Sequence, residues 1–317
     1  MQRRTRTLAL AMGALVGCGA STLQDASVPS SGDAPSSELA AMRARGPLGQ
    51  HEAERYVLAL VNRDRKLHDL PPVTWDETAA RAGRAHARDM AAHGYTAHLG
   101  TDGSVPEQRY TRAGGQGMSM ENAGCLADGK ARPLDPNPRY LPAELERIQK
   151  AFMDEVPPGD GHRRNILTVW HTSLGIGLAQ TQGLDIPCMA QEFVDAYGTY
   201  DELPKTAKLG SRLRVAGKVH PPAKIAGIGV ARIASPKPMT ADALNRTSSY
   251  AIPKPYATYF PRGFKTPIPL DVDERGFRIE VPLSDRGQAG LYEISVWAEL
   301  PHTKNLVMIS LRTVEVR

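Results

Sequence analysis

Four side chains with the chemistry to hold a divalent cation lie between residues 98 and 162. They are His98 in Thr-Ala-His-Leu-Gly, Glu121 in Met-Glu-Asn-Ala-Gly, Glu155 at the end of an amphipathic stretch, and His162 in Gly-Asp-Gly-His-Arg-Arg-Asn-Ile-Leu. Two imidazoles and two carboxylates form a donor set that zinc accepts. Spacing alone does not make them a site, because no His-Glu-x-x-His is present and the four are spread over residues 98–162. Taken singly, each histidine reads as a loop or core residue. His86, within an alanine-rich helical pattern, reads as a packed, hydrogen-bonded core residue, and His93 as a cap for the last carbonyls of that helix. Arg163 and Arg164 beside His162 read as surface arginines. Asp271, Asp273 and Glu274 before Gly276 faintly resemble a calcium loop but lack its later glutamate, so a solvated turn is expected.

Periodicity supplies the elements that must position these residues. Apolar Tyr56, Val57, Leu60 and Val61 share one face of a helix predicted over Glu52 to Leu67. Ala79, Ala82, Gly83, His86 and Met90 make a small-residue stripe on a second helix, Asp76 to Ala92, with Asp76 as its N-cap; such a stripe suits close packing on a sheet. A third helix fits Pro142 to Val156, burying Leu145, Ile148 and Phe152. The period then shortens, and Leu174 to Ala179 and Met189 to Val194 read as strands. Helices alternating with strands imply a layered α/β first domain over 50–200. Residues 201–210 are polar and irregular, a linker. Beyond it, β-branched runs at Leu213 to Val219, Ile228 to Ile233, Phe277 to Val281, Tyr292 to Trp297 and Leu306 to Val316 predict an all-β sandwich over 211–317. Gly290-Leu291-Tyr292 is reminiscent of the tyrosine corner of immunoglobulin-like domains.

The start of the chain addresses location. Arg3, Arg4 and Arg6 precede an apolar run, Leu8 to Val16, too short to span a bilayer. The run ends in Leu15-Val16-Gly17-Cys18, which looks like the lipobox of bacterial lipoproteins. Residues 1–17 are thus expected to be a signal peptide, Cys18 the lipidated new N-terminus, and 18–49 a flexible tether, its first part rich in Ser, Ala, Pro and Gly. The expected location is the periplasmic or cell-surface side of a bacterial membrane. Removing 1–17 discards three arginines and no acids, leaving 36 basic residues against 34 acidic ones. The pI of 9.1 is therefore no sign of nucleic-acid binding, for which a basic run with interleaved aromatics is also missing. After Cys18 only Cys125 and Cys188 remain. In an oxidising compartment they are expected to pair, the alternative being two buried thiols that never meet.

The wording and order of the segments resemble the CAP superfamily (SCP domain) of cysteine-rich secretory, venom antigen and plant pathogenesis-related proteins. The matching pieces are Leu60-Val-Asn-Arg-Asp-Arg-Lys66, Pro72-Val-Thr-Trp75, Ala85-His-Ala-Arg-Asp-Met90 and Ala97-His-Leu-Gly-Thr-Asp-Gly103, then Met120-Glu-Asn-Ala123, Gly161-His-Arg-Arg-Asn-Ile-Leu167, Gly175-Ile-Gly177 and Gln191-Glu-Phe-Val194. The resemblance implies an α-β-α sandwich with a cleft lined by a His-Glu-Glu-His tetrad. By motif the tetrad falls on His98, Glu121 and His162, and on Glu155 three residues after Phe152, where the family usually has Trp. It further implies that His98 and His162 would hold a metal such as Zn2+, with the carboxylates binding directly or orienting a bound water. Three functions stay open: a module binding an extracellular lipid, sterol or peptide; a metal-assisted hydrolase, protease or esterase, using the same tetrad; and a structural or adhesive surface protein whose tetrad is a polar network without metal.

Overall fold

The structure, a computed structural model, describes residues 21–22 by their backbone, 37–247, 249–301 and 303–317. Cys18 and the leader lie outside the described residues. The first domain is a five-stranded sheet between helices. Its elements are β1 (Ser21–Thr22), α1 (Ser37–Ala44), α2 (Gln50–Lys66), β2 (Thr74–Trp75), α3 (Glu77–His93), α4 (Pro106–Arg112), β3 (Met118–Cys125), α5 (Pro142–Met153), α6 (Gly161–Ile166), β4 (Ser173–Ala179) and β5 (Cys188–Asp195). The sheet order is β1-β3-β5-β4-β2, with β3, β5 and β4 antiparallel and Glu121, Glu192 and Gly175 side by side across them.

On one face the apolar stripes of α2 and α5 (Tyr56, Leu60, Ile148, Phe152) meet Ile176, Met189 and Phe193 of the sheet. On the other, the small-residue stripe of α3 lies directly on β4. A Cβ added to Gly177 would stand 1.9 Å from the backbone carbon of Gly83, and one added to Gly175 2.1 Å from the nitrogen of Ala80. The N-cap is as the sequence predicts, with Asp76 Oδ1 accepting from Ala79 N at 2.9 Å. α5 stops three residues short of its predicted end; the prolines at 157 and 158 exclude further helix.

The expected tether is shorter than 18–49. Leu39 of α1 and Leu48 are 1 % exposed in the core, and Leu48 exchanges two backbone hydrogen bonds with Tyr140. Of the large apolar residues described in this stretch, Leu39 and Leu48 are buried and Met42 packs partly buried against the same core. The remainder, residues 23–36, lies outside the described residues.

The C-terminal part is all-β apart from one short helix and a 3-10 turn. Its elements are β6 (Gly198–Tyr200), β7 (Thr206–Ala207), β8 (Arg212–Val219), β9 (Lys224–Ile233), α7 (Ala241–Leu244), β10 (Ala257–Tyr259), β11 (Asp271–Asp273), β12 (Gly276–Pro282), β13 (Gly290–Glu299) and β14 (Val307–Val316). They form two sheets, β10-β9-β13-β14-β7 and β11-β12-β8-β6, whose inner residues share one apolar core. The boundary is earlier than expected: Gly198–Tyr200 pairs with β8, and the expected linker contributes β7. The turn between β11 and β12 is a hairpin whose acids serve arginines, Asp273 bonding Arg278 at 2.9 Å and Asp271 bonding Arg262 at 3.1 Å.

Residues 237–247 of this part, and Tyr250, reach back over the first domain. Met239 N donates to Thr101 O at 2.8 Å, Asn245 Oδ1 accepts from Thr96 N at 3.0 Å, and Leu244 is buried among Met90, Tyr95 and the two cysteines. Tyr250 donates its hydroxyl to Glu107 of α4, against which the buried Glu293 of β13 is set. Burial and the neighbouring Glu107 push the Glu293 carboxyl up to about 10, and burial raises Glu107 as well. Glu293 is therefore held protonated at neutral pH.

Two outcomes follow from this packing. Gly177→Ala is expected to cost about 3 kcal/mol in urea denaturation, whereas Gly159→Ala, whose added carbon meets nothing closer than 3.8 Å, stays within about 0.5 kcal/mol. For Glu293, a folded pKa raised above the unfolded value means that stability is full below pH about 4.5 and declines as pH rises toward about 10. Stability measured across that interval should fall with pH in the natural protein, and Glu293→Gln should flatten the slope.

Candidate functional site

β3 carries the centre of the site. Successive residues of a strand face opposite sides of the sheet, so Glu121 turns toward α3 and Asn122 toward α5 and α6. Glu121 is 5 % exposed and is held by three residues. Its Oε1 lies 3.0 Å from His98 Nδ1 and 3.6 Å from His86 Nε2, and its Oε2 accepts from Arg109 Nη2 at 2.7 Å. Arg109, itself buried, also donates to the carbonyls of His98 (2.9 Å) and Ser104 (2.9 Å). It thereby fixes the 98–104 loop against the strand. Burial would raise the Glu121 carboxyl, but the Arg109 guanidinium, with His86 and His98, outweighs burial and holds it far below the usual carboxylate range.

Glu192, opposite Glu121 on β5, has the reverse fate. It is fully buried, and burial together with the Glu121 charge pushes its carboxyl well above the ordinary value; Ser119 Oγ donates to it at 2.9 Å. Of two adjacent carboxyls, one is an anion and the other a neutral acid, the arrangement that like charges at close range require. His86 is neutral too: burial first, then Arg109, lower it to about 4, and its Nε2 contacts Ala97 O at 2.8 Å.

The second half of the tetrad is a His–carboxylate pair on the loop that follows α5. Glu155 follows α5 and its Oε1 lies 2.5 Å from His162 Nδ1, while Oε2 accepts from His162 N at 2.8 Å. Both contacts close the loop 155–162 onto the start of α6. His162 is buried, stacked against Phe152 with ring centroids 4.5 Å apart. Burial lowers its pKa, with Glu155 opposing, and His98 and Glu121 both act on it electrostatically. The structure thus gathers all four expected residues as two His–carboxylate pairs in one neighbourhood. Among the described residues, no three His, Cys, Asp or Glu side chains form a ready-made metal cage.

A buried polar chain braces this arrangement from behind. Asp195 meets His171 Nδ1 at 2.6 Å, His171 Nε2 meets Asn165 Oδ1 at 3.0 Å, and Asn165 donates to Asn122 Oδ1 at 2.9 Å. Asn122 donates to His162 O at 3.2 Å and to Gln191 Oε1 at 3.1 Å. Arg65, fully buried, donates to Ile166 O and Thr168 O, pinning the end of α6. Cys125 and Cys188 are joined by a disulfide between the ends of β3 and β5. Arg163 and Arg164 serve local partners, Met153 O and Asp160, and His93 bonds Asp89 O.

Arg109, Glu192, Asn122 and His171 belong to the site but do not stand out in the sequence. A signal for the first was present: Pro106-Glu107 marks a helix start, with Pro in the first turn and an acid beside it, and that helix, α4, carries Arg109 at the right distance.

Residues 58–190 match the Cysteine-rich secretory protein family, CAP. The uncharacterized protein YkwD of Bacillus subtilis (strain 168) is 29% identical over 129 residues, 40% of this chain and 43% of that protein. An extracellular protein containing an SCP domain from Bacillus anthracis str. Ames, solved at 1.5 Å, is 20% identical with a TM-score of 0.35 over 51% of this chain and 44% of that one. An outer surface protein from Borrelia burgdorferi is 16% identical with a TM-score of 0.35, over 47% of this chain and 96% of its own. The chain thus spans less than half the length of YkwD and of the Bacillus anthracis protein.

Removing Arg109 tests the geometry. Arg109→Met leaves an ionised, buried Glu121 without its guanidinium and is expected to cost about 3–5 kcal/mol; the double variant with Glu121→Gln should recover much of that loss in the same denaturation assay. Residues 58–190, which carry the four tetrad positions that the fold brings together, are similar to the Cysteine-rich secretory protein family, CAP.

Proposed function

We propose that this is an exported, lipid-anchored binding protein whose His98/His162 pair holds a divalent metal such as Zn2+ beside a cleft for an extracellular ligand, a lipid, sterol or peptide. The observation that carries the metal reading is the use of Nδ1 in both dyads. Metal-bound histidines characteristically present one ring nitrogen to the ion and the other to a carboxylate. Glu121 and Glu155 each take Nδ1, so Nε2 of His98 and of His162 would be the ligands and the glutamates their orienting partners. Two imidazoles without a third protein donor make a weaker site than a closed structural one, consistent with a metal that assists ligand capture.

The carboxylates speak against the hydrolase alternative. A general base works best with a pKa near the operating pH, whereas Arg109 holds Glu121 far below that range and Glu155 is engaged by the backbone and ring of His162. Export and anchoring rest on the leader and Cys18, and a disulfide between Cys125 and Cys188 suits an oxidising compartment. The immunoglobulin-like reading of the C-terminal sandwich is supported by Tyr292, whose hydroxyl donates to Gln288 O at 2.8 Å and accepts from Asp285 N at 3.0 Å, as a tyrosine corner does.

Titration of the purified protein with Zn2+, followed by elemental analysis after desalting, should show about one zinc per chain in the natural protein and a loss of at least tenfold in affinity in His98→Ala/His162→Ala. Equal zinc content in both would remove the ligand assignment. A panel of peptide and ester substrates supplied with zinc should show no turnover.

A further inference from the structure

The connection between β9 and β10 is far longer than the sandwich requires. The two strands are antiparallel neighbours, a pair that about two to five residues suffice to join. Here the chain between them runs from residue 234 to residue 256, and residues 237–247 form a strap that lies on the first domain. Loops of such length in a compact fold are usually functional. Among the described residues, the hydrogen bonds of this strap to the first domain all fall on one short stretch, the turn from Gly94 to Ser104 that carries His98.

Asn245 holds that turn before His98, and Met239 holds it after. Asn245 Oδ1 accepts from Thr96 N at 3.0 Å while its Nδ2 donates to Gly94 O at 3.2 Å, so one side-chain amide closes on two backbone groups. Met239 N donates to Thr101 O at 2.8 Å. Lys237 lies so close that a Cβ on Gly103, whose φ is +78°, would stand 2.2 Å from its carbonyl oxygen. Leu244, fully buried with Met90, Tyr95 and Ala97, anchors the strap between these contacts. α7 is capped by Thr240 Oγ1, which accepts from Ala243 N at 3.2 Å. Within itself the turn closes Gly103 N to Gly100 O at 2.8 Å and Gly100 N to Ser104 O at 2.9 Å, both beyond His98. Its shape around His98 is therefore imposed from outside: Asp89 of α3 takes Thr101 N at 2.8 Å, Arg109 of α4 takes His98 O, and the strap takes Gly94, Thr96 and Thr101.

We propose that the strap is a positioning element of the tetrad: by gripping the backbone on both sides of His98 it sets the direction of that imidazole beside Glu121, and Asn245 is the residue through which it acts. The second domain is then part of the site. The consequence for metal rests on the reading of His98 as a zinc ligand: loosening the strap weakens zinc binding without touching a ligand.

Asn245→Ala in the full chain tests this, with Ile279→Val as the control, which shortens a side chain buried in the sandwich and leaves the strap alone. In zinc-free protein the Cε1–Hε1 NMR signal of His98, assigned by its loss in His98→Ala, should shift or split in Asn245→Ala and stay in place in Ile279→Val. In zinc titrations against a chromophoric chelator, Asn245→Ala should weaken binding about tenfold and Ile279→Val by less than about twofold. Should Asn245→Ala not fold, Thr240→Ala, at an exposed position, removes the cap of α7 and should move the same signal by a smaller amount. A His98 signal unmoved in the strap variant that folds, or moved as far in Ile279→Val, overturns the proposal. So does zinc affinity in Asn245→Ala within about twofold of that of the natural protein. If the natural protein takes up no zinc, the ligand assignment falls and the ring signal alone decides the role of the strap.

Discussion

The ion pair between Arg109 and Glu121 is the constraint on which the site depends. A carboxylate removed from water is tolerated only where a partner charge and hydrogen bonds replace its hydration, and Arg109 does both while also gripping the carbonyls of His98 and Ser104. One guanidinium therefore fixes three things together: the ionisation of Glu121, the placement of His98, and the seat of α4 on the sheet. Glu192 stays neutral because Glu121 is charged beside it. The order of the site is electrostatic before it is steric.

The same helix carries the other domain. Two residues before Arg109, Glu107 meets Tyr250 and Glu293 from the C-terminal part, and two residues after it Thr111 Oγ1 accepts from Thr313 N of β14 at 3.2 Å. α4 thus has the tetrad on one side and the second domain on the other. The near-neutral balance of residues 18–317 conceals an asymmetry that favours this association: residues 18–200 hold 18 basic and 23 acidic side chains, residues 201–317 hold 18 and 11. The return of residues 237–247 across the first domain means that Leu244 completes a core it does not adjoin in sequence.

Expectation and structure part along a physical line. α2, α3 and α5, and the strands β4, β5, β8, β9, β12, β13 and β14, are legible in the sequence because their burial follows a local period. α4, α6 and β3 give no such signal: the helices are six or seven residues long, too short for a stripe to declare itself, and β3 is buried on both faces, so Met118 to Cys125 shows no alternation. The folded stretch from Ser37 to Leu48 is hidden by its composition, since its contribution to the core is limited to Leu39, Leu48 and the partly buried Met42.

What the sequence by itself supplied is the set of candidates: an expected export leader, the segments that resemble the family, the four tetrad residues and the two cysteines. What the tertiary structure decided is pairing. His98 goes with Glu121 and His162 with Glu155, Arg109 supplies the counter-charge, and Glu293 and Arg312 are buried between domains. A partner that is distant along the chain leaves no trace in local spacing, because its energy exists only once the chain has excluded water from between the two groups.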